Sequence, residues 1–258
     1  DRPKRKKYPT RKEKMEEIFD RQKLLIGEEK LQSLHQKTVA IFGLGGVGSY
    51  VAEGLARSGI GNFIIIDNDK IDVTNINRQI IATTKTIGRF KVDVAEERIK
   101  EINSSANVIK YAEFVGKENE NIELFDSIKN VDYIVDAIDT VSSKLRIIEF
   151  AKANNIPVIS ALGTGNKLDP TKLKLADIYD TKICPLAKVM RKELKKRGIT
   201  SLDVVYSEEE PIKICDNEAE GSKENNNGNN AKKIGSIAYV PSVAGLLICY
   251  KVVSEFIK

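Results

Sequence analysis

The chain of 258 residues contains no tryptophan, one histidine and three cysteines. With His35 as the single histidine, catalysis by histidine is a poor hypothesis, and we expect a structural role for this side chain. The cysteines, Cys184, Cys215 and Cys249, form no CxxC pair, so the sequence offers no zinc site. Sparse and unpaired cysteines are typical of a reducing compartment, and we therefore expect a cytoplasmic protein.

Long apolar runs are also missing. No run reaches the roughly 18 apolar residues that predict a membrane-spanning helix, and the N-terminus lacks the apolar central region of a signal peptide. The sequence thus predicts no plain membrane span. The closing segment, Ser242 to Ile257, is very apolar but is interrupted by Lys251 and Glu255. This pattern favours a packed C-terminal helix, a candidate for a subunit interface, over membrane contact.

The net charge of +5 is concentrated at one end of the chain. Residues 1–14 contain eight lysine or arginine and two acidic side chains, a net charge of +6, so the other residues sum to −1. We expect a flexible basic tail here. Such a tail suits a polyanion such as RNA, although a solvated arm without a partner explains the composition equally well.

A glycine-rich turn lies between two apolar segments. Val39 to Phe42 predicts a buried strand, Gly43-Leu-Gly-Gly-Val-Gly48 follows it, and Tyr50 to Arg57 is compatible with a helix. Ile64 to Ile66 predicts a second strand, which ends in Asp67, 19 residues after Gly48. Glycines let the main chain approach a phosphate, a helix N-terminus attracts the anion, and an acid at this distance reaches a ribose hydroxyl. The pattern therefore predicts a nucleotide site, without specifying the nucleotide.

Phosphate-binding side chains follow the second strand. Asn75, Arg78 and Lys91 supply donors, the arginine as a fork of N–H groups and the lysine as a mobile point charge. Each of them alone could be an ordinary surface group. Because all three lie downstream of the glycine turn, we favour a role in binding phosphates.

An acidic residue ends a later strand. Tyr133 to Asp139 predicts a buried strand that ends in two carboxylates, Asp136 and Asp139. Ligands of open parallel sheets bind beyond the carboxyl ends of the strands, so Asp139 is a candidate for holding Mg²⁺ beside phosphates. The alternative is that it caps the helix that begins near Ser142.

The order of the predicted elements gives the fold class. Strands separated by helices of about 10–15 residues indicate an α/β fold with a doubly wound, mainly parallel sheet. We expect a Rossmann-like nucleotide-binding domain over residues 15–165. Residues 166–258 are expected to add a strand and helix extension packed on the same domain, with the low-complexity stretch 216–233 disordered.

A basic helix is predicted in the C-terminal part. Pro185 to Arg197 has an apolar stripe, and Lys188, Arg191, Lys192 and Lys195 share the opposite side at helical spacing. The basic side could be a solvated face or a surface that follows phosphates.

With these residues identified, the chain resembles the ubiquitin-activating-enzyme-like adenylyltransferase superfamily over roughly residues 15–165. The motifs that carry the resemblance are Gly43 to Gly48, Asp67, Asn75-Ile-Asn-Arg78-Gln79, Lys91 and Asp136-Ala-Ile-Asp139. Within that superfamily the chain is most similar to the dehydratases that act on threonylcarbamoyladenosine in tRNA. That likeness continues through Asp169-Pro-Thr171, Cys184-Pro-Leu-Ala187 and Gly235-Ser236, and so covers nearly the whole chain.

The resemblance implies an adenylating enzyme that uses ATP and Mg²⁺. The carboxylate of threonylcarbamoyladenosine, next to the tRNA anticodon, would attack ATP, and the acyl-adenylate would close into a ring with release of AMP. The implied partners are tRNA, a second copy in a homodimer, and a sulfur-relay or cysteine-desulfurase-type protein. The implied catalytic residues are Arg78, Lys91, Asp139 (also the Mg²⁺ residue) and, supplied in trans, Arg21. The implied nucleotide-binding residues are Gly43, Gly45, Gly46, Gly48, Asp67, Asp69, Asn75, Arg78, Lys91 and Asp139.

Two other functions remain open at this point. One is adenylation of the C-terminal carboxylate of a ubiquitin-like or sulfur-carrier protein, for which Cys184, where the dehydratase pattern has an aspartate, could form a thioester. The absence of CxxC pairs counts against sulfur-carrier activation. The other is a nicotinamide-dependent dehydrogenase, which would use the glycines and Asp67 but would leave Arg78, Lys91 and Asp139 without a common task.

Overall fold

The structure is a computed structural model that describes residues 17–116, 120–214 and 234–258. The predicted basic tail, residues 1–14, and the predicted disordered stretch, residues 216–233, lie outside the described residues.

Seven strands of the described residues form one sheet in the order β3-β2-β1-β4-β5-β7-β6. Neighbouring strands are parallel except β6, which pairs antiparallel with β7 at the edge. The predicted doubly wound, mainly parallel sheet is therefore confirmed. The strands are β1 (Thr38–Phe42), β2 (Asn62–Ile66), β3 (Asn107–Tyr111), β4 (Tyr133–Asp136), β5 (Val158–Ala161), β6 (Leu173–Asp177) and β7 (Asp203–Ser207).

Helices cover both faces of the sheet. They are α1 (Asp20–Ile26), α2 (Glu28–Gln36), α3 (Gly48–Arg57), α4 (Lys91–Ile102), α5 (Ile122–Ser127), α6 (Val141–Ala153), α7 (Pro185–Lys196) and α8 (Tyr239–Phe256). One apolar layer is formed with α3, α4 and α8, and the other with α5, α6 and α7. Because both faces are covered, the central strands are continuous apolar runs rather than alternating ones.

Two chain breaks shape the periphery of the sheet. Gly27 has a φ of 84° and separates α1 from α2. β3 ends at Tyr111, and residues 112–116 form a loop. That loop later proves to line the site.

The last helix, α8, packs closely on α3. A Cβ built on Gly54 of α3 would lie 2.9 Å from Cys249 Sγ, and one built on Gly245 of α8 would lie 2.6 Å from the carbonyl oxygen of Val47. Two glycines thus allow the two helices to touch at main-chain distance. Among the described residues, α8 is the helix whose 18 residues and mean hydropathy of 1.2 would allow a membrane span, and 39% of it is buried in the protein.

Candidate active site

A cavity of about 650 Å³ opens at the carboxyl edge of the sheet, beyond β1, β2 and β4. This is the edge where open parallel sheets bind their ligands. Nine of the residues that the sequence predicted line this one cavity. They are Gly43, Gly45, Gly46, Asp67, Asp69, Asn75, Arg78, Lys91 and Asp139.

Close contacts with main-chain carbonyl groups require glycine at two positions of the turn after β1. Gly43 has a φ of 86°, and a Cβ there would lie 2.7 Å from the carbonyl oxygen of Ala137. A Cβ on Gly48 would collide with the carbonyl group of Gly43. Gly48 therefore packs against the Gly43 carbonyl group and does not line the cavity, whereas Gly45 and Gly46 do. The turn leads directly into α3, whose first N–H groups, those of Ser49, Tyr50 and Val51, donate to the carbonyl groups of Gly45 and Val47. The main chain that faces the cavity is therefore that of the turn itself.

Asp67 ends β2 with both carboxylate oxygens held by main-chain donors. Leu44 N–H donates to Oδ2 at 2.7 Å, and Asp69 N–H donates to Oδ1 at 2.8 Å. Burial raises the pKa of Asp67 above its usual range, and the opposite charge of Lys91, 3.7 Å away, offsets only part of this effect. The carboxylate is fixed in direction, and each oxygen retains a lone pair for a hydroxyl donor.

Two cations reach the cavity from different elements. Lys91, at the start of α4, is buried, and its Nζ donates to Asp69 Oδ2 at 2.7 Å. Arg78 uses Nη1 to donate to the carbonyl oxygen of Thr74 at 2.8 Å and to Asn77 Oδ1 at 3.0 Å. Within the described part of the chain, the other guanidinium nitrogens of Arg78 make no hydrogen bond, so they can serve an anion in the cavity.

The aspartate that ends β4 and the one three residues later have different environments. Asp136 is fully buried and accepts from Lys144 Nζ at 2.9 Å and Ser160 Oγ at 2.6 Å. Asp139 is exposed, lines the cavity and, among the described residues, accepts only a long hydrogen bond of 3.3 Å from Thr140 Oγ1. The helix that follows, α6, has Thr140 at its N-cap and no side-chain capping bond. The alternative role of Asp139 as a helix cap is therefore not observed.

Several cavity residues were not assigned a role from the sequence. Gln79 belongs to the motif that contains Arg78, and it is buried with an Oε1 that has no donor among the described residues. The others come from loops or from a distant segment, and no local sequence pattern predicted their place in the cavity. They include Glu113, Phe114, Thr164, Ser236 and Pro241.

Besides Gly48, two residues that the sequence singled out lie outside the cavity. Arg21 is an exposed residue of α1, away from the cavity of its own chain. Cys184 is buried at the N-cap of α7, and it does not line the cavity either. The cysteine therefore lacks the access to the cavity that a thioester-forming nucleophile needs.

A cation at this site would need ligands from a substrate. No group of three or more His, Cys, Asp or Glu side chains that could hold a metal lies together in residues 17–116, 120–214 and 234–258. Mg²⁺ prefers oxygen ligands and usually shares them between one or two carboxylates and phosphate groups. The exposed carboxylate of Asp139 fits this arrangement when phosphates occupy the cavity.

The comparisons with known proteins agree with this geometry. The model of the ThiF family matches residues 19–254. The chain is 41% identical over 248 residues to the tRNA threonylcarbamoyladenosine dehydratase of Bacillus subtilis (strain 168), covering 93% of this chain and 94% of that protein.

Solved structures give the same result. The structure of the E. coli tRNA N6-threonylcarbamoyladenosine dehydratase, TcdA, in complex with AMP matches with a TM-score of 0.81 and 31% identity, over 93% of this chain and 94% of that one. Its complex with ATP matches with a TM-score of 0.80 and 31% identity, over 93% of each chain. The resemblance read from the motifs is confirmed, and the chain belongs to the ThiF family.

Proposed function

We propose that this protein catalyses the ATP-dependent cyclising dehydration of threonylcarbamoyladenosine in tRNA, next to the anticodon. The observation that carries the proposal is the convergence of the glycine turn, Asp67, Arg78, Lys91 and Asp139 on one cavity. A nicotinamide site would use the glycines and Asp67 but would leave the other three without a task. The match of the chain to an ATP-bound dehydratase over 93% of its length supports the same function.

The reaction divides into two displacements. The carboxylate of the modified nucleoside attacks the α-phosphorus of ATP, which forms an acyl-adenylate and releases pyrophosphate. A nucleophile of the same nucleoside then attacks the activated carbonyl, closes the ring and releases AMP. One oxygen of the substrate carboxylate becomes an oxygen of the released AMP. The net change in the nucleoside is therefore the loss of one water.

The cavity residues serve the first displacement. Gly45 and Gly46 let the main chain approach the phosphates, and Asp67 accepts from a ribose hydroxyl. Arg78 and Lys91 offset the charge that develops on the phosphate oxygens, which is worth most in a partly desolvated site. Asp139 would hold Mg²⁺ against the phosphates, and the ion would neutralise charge on the leaving pyrophosphate.

Lys91 must change partners for this role. In the structure its Nζ is bound to Asp69 and lies 3.7 Å from Asp67. A phosphate in the cavity competes with these two carboxylates for the ammonium group. We propose that Asp69 holds the lysine at the edge of the cavity until the nucleotide enters.

The mass of the modified nucleoside tests the proposed function. We expect that the protein, ATP and Mg²⁺ convert tRNA carrying threonylcarbamoyladenosine to a product lighter by the mass of one water. Asp139→Ala should abolish the conversion, because the carboxylate proposed to hold Mg²⁺ is then absent. The measurement is mass spectrometry of the digested tRNA. No mass change with folded, ATP-binding protein would exclude this substrate and would direct attention to a protein carboxylate.

Cys184→Ala separates a dehydratase from a thioester-forming enzyme. We expect unchanged kcat/KM for the nucleoside conversion, since Cys184 is buried outside the cavity. A thioester enzyme would lose transfer to its partner completely. The readout is the initial rate of product formation, with a thermal unfolding curve to verify that the variant is folded.

The basic face of α7 is proposed as part of the tRNA-binding surface. Lys188, Lys192 and Lys195 are exposed and have no ion pair among the described residues. Arg191 differs from the prediction that it shares this face, because its guanidinium donates to the carbonyl oxygen of Thr181 at 3.0 Å and is only partly exposed. Three lysines therefore remain to contact phosphates.

We expect tRNA affinity to fall as salt increases. Each lysine that contacts a phosphate contributes about 0.9 to the slope of log K against log salt on duplex regions. Replacing Lys188, Lys192 and Lys195 with alanine should lower this slope by about two to three. Lys152→Ala, an exposed lysine of α6, is the control and should leave the slope unchanged. Salt-independent binding, measured by filter binding or fluorescence anisotropy, would refute this surface.

We also propose a homodimer in which Arg21 reaches the partner's cavity. In support, Leu24 and Leu25 beside it are each 86% exposed, an apolar surface that a second copy could cover. A monomer in analytical ultracentrifugation at micromolar concentration would contradict this.

We further propose a cytoplasmic location, which cell fractionation tests. We also propose a sulfur-relay or cysteine-desulfurase-type partner, which titration with such a protein tests.

A further inference from the structure

A short segment before α8 forms one wall of the cavity. Residues 234–238, called here the 234–238 segment, run into α8, and Ser236 lines the cavity together with Pro241. The segment is fixed on one side by Asn166, in the loop between β5 and β6. Asn166 N–H donates to the carbonyl oxygen of Gly235 at 2.8 Å, and Gly235 N–H donates to Asn166 Oδ1 at 2.6 Å.

On its other side the segment is fixed by Asn77. The side-chain Nδ2 of Asn77 donates to the carbonyl oxygen of Ser236 at 2.9 Å, across 159 positions of sequence. The Oδ1 of the same amide accepts from Arg78 Nη1 at 3.0 Å. One amide group therefore holds the 234–238 segment with its donor and the guanidinium of Arg78 with its acceptor.

The packing around this amide reinforces the connection. A Cβ on Gly46 would lie 3.1 Å from Pro241 Cβ and 3.5 Å from Arg78 Cγ. The glycine turn thus packs against both the stem of Arg78 and the start of α8. A shift of the 234–238 segment would change the packing against the glycine turn. Through Asn77 it would also change the position of the Arg78 guanidinium group.

We propose that Asn77 is a positioning residue that ties the Arg78 guanidinium to the 234–238 segment, so that the adenylation step depends on this contact. The inference rests on the proposed function only in that the cavity binds ATP. Arg78 has one nitrogen, Nη1, committed to Thr74 and Asn77, and this fixes the plane in which its remaining N–H groups meet the phosphates. A change of about 1 Å in such a donor can cost about 100-fold in rate.

A merely structural role for Asn77 predicts something different. Because Asn77 is exposed, the positioning role predicts little change in stability when its hydrogen bonds are removed. If it served only to hold the loop, its loss would weaken ATP binding and stability together. A positioning residue instead lowers kcat and leaves the affinity for ATP nearly intact.

The experiment uses three variants of the full chain. Asn77→Ala removes both the donor and the acceptor of the side-chain amide. Asn166→Gly removes the side-chain acceptor of the Gly235 N–H and keeps the main-chain bond, so it weakens the hold on the segment from its other side. It adds no backbone strain, because Asn166 has a φ of 57° that glycine adopts readily. Asn154→Ala is the matched control, since Asn154 is also an exposed asparagine that donates to a carbonyl group, that of Phe150 at 2.8 Å, at the end of α6.

We expect Asn77→Ala to lower kcat about 10- to 100-fold while KM for ATP changes by less than about threefold. Asn166→Gly should lower kcat in the same way, and the double variant should be much less impaired than the sum of the two effects. Asn154→Ala should behave as the wild type. Hydrogen exchange gives a second readout: ATP should slow exchange of the amides at 235–238 in the wild type and should not do so in Asn77→Ala.

Three results would overturn the proposal. They are additive effects of the two substitutions, parallel losses of kcat and ATP affinity with a lowered Tm, and ATP-dependent protection of residues 235–238 that persists in Asn77→Ala. The exchange experiment needs no tRNA. If the wild type fails to act on tRNA but shows ATP-dependent protection that Asn77→Ala removes, the proposed substrate is wrong and the role of Asn77 stands.

Discussion

Arg78→Ala is expected to lower kcat for adenylate formation about 10²- to 10³-fold, the cost of removing one preorganised donor from a site of developing charge. The guanidinium lines the cavity and is held by Thr74 and Asn77 through a single nitrogen, which leaves its other N–H groups for the phosphates. Arg78→Lys should recover only part of the rate, because an ammonium group replaces a planar fork with a point charge. The measurement is pyrophosphate release under single-turnover conditions.

Arg89→Ala is the matched control for this prediction. Arg89 is also an arginine of the segment between β2 and α4, but its side chain is 41% exposed and paired with Glu97 away from the cavity. It should retain the wild-type rate. Equal rates for Arg78→Ala and Arg89→Ala would remove Arg78 from the proposed mechanism.

Lys144→Met is expected to destabilise the protein by about 3–5 kcal/mol, because it leaves the carboxylate of Asp136 buried without its counter-charge. Both side chains are fully buried, and Lys144 Nζ donates to Asp136 Oδ2, Ser160 Oγ and the carbonyl oxygen of Ala161 at 2.8–3.0 Å. Asp136 also accepts from Ile138 N–H at 3.2 Å, so the pair supports the loop that carries Asp139. The measurement is the free energy of unfolding in urea.

Two comparisons make the second prediction specific. Lys110→Met removes a lysine that is 41% exposed and paired with Asp93 and Glu96, and it should cost only about 0–1 kcal/mol. The double variant Lys144→Met/Asp136→Leu should recover part of the lost stability, since no charge then remains buried. A loss below about 1 kcal/mol for Lys144→Met would show that the buried pair is not needed to compensate Asp136.

The central fold and half of the site follow from local sequence patterns. Val39 to Phe42 is an apolar run because β1 is covered on both faces, and the turn itself requires glycine at Gly43, which has a φ of 86°, and at Gly48, which packs against the Gly43 carbonyl group. Asp67 follows its strand directly. These features depend on main-chain geometry and burial, which short stretches of sequence encode.

The other half of the site depends on contacts between distant segments. Ser236 accepts a hydrogen bond from Asn77 across 159 positions, and Gly235 donates one to Asn166 across 69. Nothing in the spacing of these residues distinguishes them from surface groups. Arg191 illustrates the same limit, since helical spacing places it on the basic face while a hydrogen bond to Thr181 turns its guanidinium toward the protein.

The packing of α8 on α3 has a consequence for how the protein is made. The glycine turn and α3 leave the ribosome about 190 residues before α8 does. Until α8 arrives, Gly54 faces water where Cys249 belongs, and the carbonyl group of Val47 lacks the cover of Gly245. A growing chain therefore possesses the whole phosphate-binding sequence early but lacks the surface that supports it. We therefore expect nucleotide binding only after residues 239–256 have emerged and docked on α3.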